Sequence, residues 1–358
     1  MTSVRGPLVA LRHAVANLTP GYFALVMATC IVSIGVNTDG LGALSLVLLW
    51  LAVVCYVLLV AATVWRAVSF RAELHADFMD PRRGFGFFTF VAGTDVLGAR
   101  MVGAGQYGIA LGLLAVGGLS WLVLGYVVPW TAVLGRADRP VIAGANGTWF
   151  IWVVASQSVA VLAAALEPMA DTGRRELALL AVCSWSVGVI LYAAVGVFVA
   201  ARLLFYPLLP TDLTPPYWVA MGATAITVVA GARIVEMADA PMVVATRGLI
   251  AGTSVVFWAF GSWLILPLLA AGWWRHVVHR VPLRYEPTLW SVVFPLGMYG
   301  VAGQYLGAAD HLPIVEGVGT YETWVALAVW AVTFVAMLVH LVRTLVWPRG
   351  SVLAPSGR

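Results

Sequence analysis

The chain has 358 residues, of which 62% are hydrophobic and only 10% charged, with a formal net charge of +4 and a mean hydropathy of +0.95. Soluble domains carry about 25% charged residues, so a chain this apolar lacks the polar groups to cover a soluble surface. A soluble enzyme, a disordered regulator and a secreted disulfide scaffold are excluded, which leaves a polytopic membrane protein.

In chain order, residues 1–18 hold Arg5 and Arg12 but no apolar core followed by a small-residue cleavage site. They read as a cytoplasmic N-terminus without a cleavable signal peptide. A membrane span needs about 20 mostly apolar residues. Ten runs qualify: 19–37, 41–65, 85–102, 106–130, 144–166, 177–201, 215–235, 246–272, 287–307 and 320–346. Residues 19–346 form the predicted transmembrane transport domain, and 347–358 a cytoplasmic tail. The even-numbered spans are uniformly apolar, as in LGALSLVLLWLAVVCYVLLV at 41–60, whereas the odd spans carry Gly, Thr, Ser, Asn, Gln and one Asp. Polar atoms at membrane depth face protein or water rather than lipid, so the odd helices are expected inside and the even ones outside.

All 20 basic residues are arginines. Fifteen lie at the termini and in the loops after spans 2, 4, 6 and 8, while Arg100, Arg174, Arg175, Arg233 and Arg247 lie on the other side. The positive-inside rule puts both termini in the cytoplasm. Acidic residues lean the opposite way, including Asp171, Glu236 and Asp310. The longest inner connection, 69–84, reads as a solvated interfacial segment in which Glu73, Asp77 and Asp80 have Arg71, Arg82 and Arg83 as possible partners. Glu236 and Asp239 are candidate partners of Arg233. Cys30, Cys55 and Cys183 lie in apolar runs without a CxxC and read as small buried hydrophobes. His276 and His279, in the basic stretch RHVVHR, suit lipid headgroups better than a metal. No metal, cofactor or nucleic-acid partner is expected, and no catalytic signature stands in a credible context.

The odd spans can be laid over one another from their opening aromatics: Tyr22-Phe23, Phe87-Phe88, Trp149-Phe150, Tyr217-Trp218 and Leu289-Trp290. Six residues after the second member come Thr29, Thr94, Ser156, Thr224 and, in span 9, Leu296. One hairpin separates successive copies. The fold class is therefore all-α, ten transmembrane helices as five hairpins with pseudo-five-fold symmetry, the odd helices lining a central pore. A ring of hydroxyls suits weak hydrogen bonding to a passing anion. The alternative is that each hydroxyl bonds its own helix backbone. The column two residues earlier reads Met27, Ala92, Val154, Gly222 and Phe294. Phe294 precedes Pro295, which removes a backbone hydrogen bond. A ring beside that break is a candidate plug of an axial pore.

Three runs carry a family resemblance: Pro20-Gly21-Tyr22-Phe23 followed by ALVMATCIVSIG, Arg83-Gly84-Phe85-Gly86-Phe87-Phe88-Thr89-Phe90, and Trp290-Ser291 followed by VVFPLGMY. From about 15 to 346 the chain resembles the tellurite-resistance/dicarboxylate-transporter family. That family includes bacterial tellurite-resistance membrane proteins, fungal malate permeases, sulfite efflux pumps and plant slow anion channels. The resemblance implies a plasma-membrane homotrimer with a pore in each ten-helix protomer. It also implies a phenylalanine gate, here Phe294, and anion conduction or organic-acid transport.

Asp95 departs from a simple anion pore, because a carboxylate there repels the permeant ion and is costly to isolate in the membrane. It reads either as a proton site or as a partner of Arg100 or Arg233. Gln157 occupies the same column, within reach of that carboxyl or of an anion. The leading expectation is an anion channel or uniporter gated by Phe294. The alternative is a proton-coupled dicarboxylate, organic-acid or sulfite exporter using Asp95. A receptor-like or structural membrane protein is a third class, disfavoured because no sizeable soluble domain is visible.

Overall fold

Long apolar runs closed by Pro, Gly and polar residues become helices, because inside a bilayer each backbone polar group needs an internal partner. The computed structural model describes residues 7–135, 140–238 and 240–346. Twelve α-helices appear among them: α1 (Pro7–Ala16), α2 (Ala24–Thr38), α3 (Gly42–Ser69), α4 (Arg71–Met79), α5 (Phe88–Val102), α6 (Tyr107–Pro129), α7 (Phe150–Leu166), α8 (Arg174–Phe205), α9 (Val219–Val235), α10 (Pro241–Trp273), α11 (Trp290–Ala309) and α12 (Pro313–Leu341). Nine of the described helices are long and apolar enough to cross a membrane. The ninth predicted span, α11, is not among them; its Gly297, Gly300, Gly303, Gly307 and Gln304 lower its hydropathy. The tail 347–358, the first six residues and Asp239 lie outside the described residues.

The helices form two layers. α2, α5, α7, α9 and α11 pack side by side in a closed circuit, α11 returning to α2. In the four of these that qualify as spans, 72–94% of residues in the most apolar window are buried, against 6–28% for α3, α6, α8, α10 and α12. The expected inner and outer sets are thus the observed ones. Since an outer helix always intervenes, all five inner helices run in the same direction. Each is preceded by a 3-10 turn: Pro20–Phe23, Gly84–Phe87, Gly147–Trp149, Pro215–Trp218 and Pro287–Leu289. These turns also touch in a closed circuit, in the same order. The opening aromatics of the repeat therefore mark a real structural unit.

Glycines bring the layers together. A Cβ on Gly303 of α11 would lie 2.8 Å from the Cα of Gly319 on α12. At Gly300 it would meet the Thr323 hydroxyl oxygen at the same distance. Contact at this range is van der Waals packing of bare backbone, the main attraction available to helices in lipid.

The connection 69–84 exposes Arg71, Ala72, Glu73, His75 and Ala76, as a solvated segment does, but it is more ordered than expected. It holds α4, and Asp77 is buried there. The Asp77 carboxylate pairs with Arg66 at 2.8 Å and Arg83 at 2.6 Å. Arg66 also donates from Nε to the carbonyl of Ala16 at 3.2 Å, tying α1 to the end of α3. Arg83 was an expected partner and Arg66 was not, because its charge sits in the last turn of an apolar helix. Cys30 is buried, but Cys55 is half-buried and Cys183 is exposed on α8. A lipid-facing helix leaves small side chains uncovered wherever no neighbour packs.

Candidate functional site

Two residues along an α-helix turn a side chain by about 200°. The hydroxyl column and the column two residues before it therefore cannot both face the axis of the inner ring. The hydrogen bonds decide between them. Thr29 donates to the carbonyl of Leu25 at 2.8 Å and accepts from Trp330 Nε1 of α12 at 3.0 Å. Thr94 donates to Phe90 at 2.7 Å and meets the Tyr56 hydroxyl of α3 at 3.0 Å. Ser156 accepts from Trp121 Nε1 of α6 at 2.8 Å and donates to Trp152 at 3.3 Å. Thr224 donates to Met221 at 2.6 Å and lies against Gly261 of α10. All four protons go to their own helices and all four oxygens turn to the outer layer. The ring of hydroxyls open to an anion is therefore corrected to a ring of helix-to-helix fasteners.

Sequence reading missed the other half of these fasteners. Tyr192 of α8 donates to the carbonyl of Ala220 on α9 at 3.2 Å. On α10, Ser262 meets the Tyr299 hydroxyl of α11 at 2.6 Å, and Trp258 stacks on that ring. Each outer helix thus bonds the inner helix of the next hairpin, and α12 closes the circuit on α2. The signal was present: Tyr56, Trp121, Tyr192, Trp258 and Trp330 recur at one-hairpin spacing.

Met27, Ala92, Val154, Gly222 and Phe294 lie on the opposite helix faces. The geometry is clearest on α11. Pro295 packs against Gly222 of α9, Gly297 against Ile31 of α2, Gly300 and Gly303 against α12, and Tyr299 against α10. At about 100° per residue, the sector these neighbours leave free holds Phe294 and Met298. Phe294 is 1% exposed, Met27 2%, and Ala92 and Val154 are fully buried. Phe294 is the only aromatic ring in this column. Pro295 brings no N–H, so the Ser291 carbonyl loses its helical donor. Gly222 is bare where the Pro295 ring approaches, at 2.8 Å from the position of a Cβ.

Asp95 is fully buried and turned to the outer layer, where Gly117 of α6 makes room for its carboxylate. Its Oδ2 accepts from Ser158 Oγ of α7 at 3.0 Å, and Oδ1 has no hydrogen-bond partner. It pairs with neither expected arginine. Arg100 donates to Ser33 and Ser45, each at 2.8 Å, and Arg233 donates to the Tyr305 hydroxyl at 2.8 Å. Glu236 is exposed and makes no ion pair with Arg233 among the described residues. Gln157 repeats the Asp95 arrangement: Gly188 of α8 receives its amide, which donates to the Trp185 carbonyl at 3.1 Å. Past the end of α2, Asp39 accepts from Gln304 Nε2 at 3.0 Å, and burial pushes its carboxyl above the usual carboxylate range.

A cavity of about 740 Å³ lies off this axis, walled by α10, α12 and the start of α11. Arg275 and His276 border it, but they are engaged locally. Arg275 donates to the carbonyls of Thr211 and Leu213, and His276 Nδ1 lies 2.8 Å from the Val281 carbonyl.

The family model described as voltage-dependent anion channel (SLAC1) matches residues 17–338. An uncharacterized membrane protein of Mycobacterium tuberculosis is 75% identical over 155 residues, 43% of this chain and 79% of that protein. An uncharacterized transporter of Methanocaldococcus jannaschii is 23% identical over 328 residues, covering 90% of this chain and 92% of the relative. A second uncharacterized transporter of that organism is 23% identical over 220 residues, 61% of this chain and 62% of the relative.

Proposed function

The chain belongs to the voltage-dependent anion channel family, and from that premise we propose that it conducts small inorganic or organic anions along the axis of its five inner helices, with Phe294 as the gate. The observation that carries this reading is the closed circuit of parallel helices with Phe294, buried on the free face of α11, as the one aromatic ring of the column Met27, Ala92, Val154, Gly222 and Phe294. Each helix N-terminus carries a partial charge of about +0.5. Five of them meet at the ring of 3-10 turns, where an anion is drawn in without a fixed charge to trap it. The axial side chains Met27, Ala92 and Val154 then offer the ion no charge of either sign. Phe294 rotates aside to open the path; the missing hydrogen bond at Pro295 and the bare Gly222 beside it give α11 room to yield.

The M. jannaschii relatives are named as transporters, in keeping with ion or organic-acid movement. The exposed outer helices face lipid and neighbouring protomers of a trimer in the plasma membrane, with both termini cytoplasmic on the arginine count.

The test is anion current through purified protein in planar bilayers under a chloride or nitrate gradient. Phe294→Ala should raise conductance by about tenfold or more, a barrier lowered by about 1.4 kcal/mol, with reversal near the anion potential. If wild type and variant are both silent while the protein moves malate or sulfite against a gradient driven by pH, the channel reading fails. A proton-coupled exporter, with Asp95 carrying the proton, then takes its place.

A further inference from the structure

At the far ends of the inner helices the helix dipoles work against an anion. Five C-termini converge there, each carrying a partial charge of about −0.5. Two arginines occupy last turns at this mouth, Arg100 on α5 and Arg233 on α9. Neither makes an ion pair among the described residues. Arg100 is 5% exposed. Its Nε and Nη2 are held by Ser33 and Ser45, and its Nη1 is buried with no hydrogen-bond partner. An unpaired guanidinium this deep is costly, and intramembrane charge marks functional sites.

Arg233 follows Gly222 by eleven residues and Tyr305 follows Phe294 by eleven. Eleven residues are three turns plus about 20°, a rise of about 16 Å, so both side chains return to the axial faces above the gate. Arg233 donates from Nη2 to the Tyr305 hydroxyl, its guanidinium carbon lies 4.7 Å from that ring's centroid, and its buried Nε has no hydrogen-bond partner. The aromatic ring and hydroxyl thus hold one guanidinium in place, while two serines hold the other.

We propose that Arg100 and Arg233, organised by Ser33, Ser45 and Tyr305, form a binding site for a small monovalent anion at the C-terminal mouth of the pore. A guanidinium offers five N–H donors and no acceptor, and two of them offset most of the partial charge of about −2.5 that five carbonyl ends bring to this mouth. The site rests on the reading of the inner ring as an anion path, and it places the entry or exit step three turns from Phe294.

The experiment is bromide NMR line broadening on the full chain in lipid nanodiscs, sodium bromide replacing sodium gluconate at constant ionic strength. Wild type should broaden the bromide line saturably, Arg233→Gln should lose most of that broadening, and Arg233→Lys should retain it. Arg100 braces α2 and α3, so Arg100→Gln is read only if the protein stays monodisperse; Arg233→Gln is the deciding variant. Broadening that is absent in wild type, or unchanged in Arg233→Gln, overturns the site. Conductance of Phe294→Ala measured in parallel keeps the two ideas apart. A conducting Phe294→Ala with no Arg233-dependent broadening sinks the site alone, and a silent one with Arg233-dependent broadening sinks the pore.

Discussion

Thr94 and Asp95 are neighbours in sequence, yet their side chains meet different helices: Tyr56 of α3 for the hydroxyl, Gly117 of α6 and Ser158 of α7 for the carboxyl. One residue along a helix rotates a side chain by about 100°, which suffices to pass from one outer neighbour to the next. Asp95 thus serves the joint between layers. Asp95→Asn keeps the shape and the acceptor for Ser158, so anion conductance in the Phe294→Ala background should stay at its parent level at any pH tested. A conductance abolished by Asp95→Asn would instead make this carboxyl part of the transport cycle. The residue types at these positions were readable, but their direction was not. A hydroxyl that lines a pore and one that fastens two helices look alike until the partner is known.

Helix positions were legible because apolar length and closing Pro and Gly residues report them directly. The short helices α1 and α4 were not, since their amphipathic stretches depend on Arg66 and Asp77 meeting across 11 residues of sequence. The glycines of α11 show the same division. Their number announced close packing, but only the structure shows that Gly303 meets Gly319 backbone to backbone. Gly303→Val should force α12 outward and cost about 1–3 kcal/mol as an overpacked contact. A thermal melt of the purified protein should show a clear fall in midpoint, whereas Gly248→Val on α10, where nothing lies within 4 Å, should leave it near wild type. Equal midpoints for the two variants would argue against a tight α11–α12 seam.

At the scale of the whole molecule, the last span completes what the first begins. α12 covers the glycine face of α11 and delivers Trp330 to Thr29, 301 residues away in sequence. A chain stopped after residue 312 leaves that face and the Thr29 edge of α2 bare. It should insert into membranes yet elute as heterogeneous aggregate on size exclusion. A monodisperse peak from that truncation would show that the inner ring closes without α12. The closed circuit also explains why the parallel order of the inner helices matters, because five aligned dipoles give the two mouths opposite polarity.

By itself the sequence determined that this is a helical membrane protein, which spans are inner and which outer, and that one aromatic ring stands in an otherwise small or flexible column. Those properties follow from hydropathy and spacing, which are local to each span. The tertiary structure alone decided that the hydroxyls face outward, that Asp95 pairs with neither arginine, and that Arg100 is held by Ser33 and Ser45 and Arg233 by Tyr305. Those facts depend on how five separate helices are rotated about their own axes. That rotation is set by contacts between residues tens to hundreds of positions apart, such as Trp330 with Thr29, and no single span carries it.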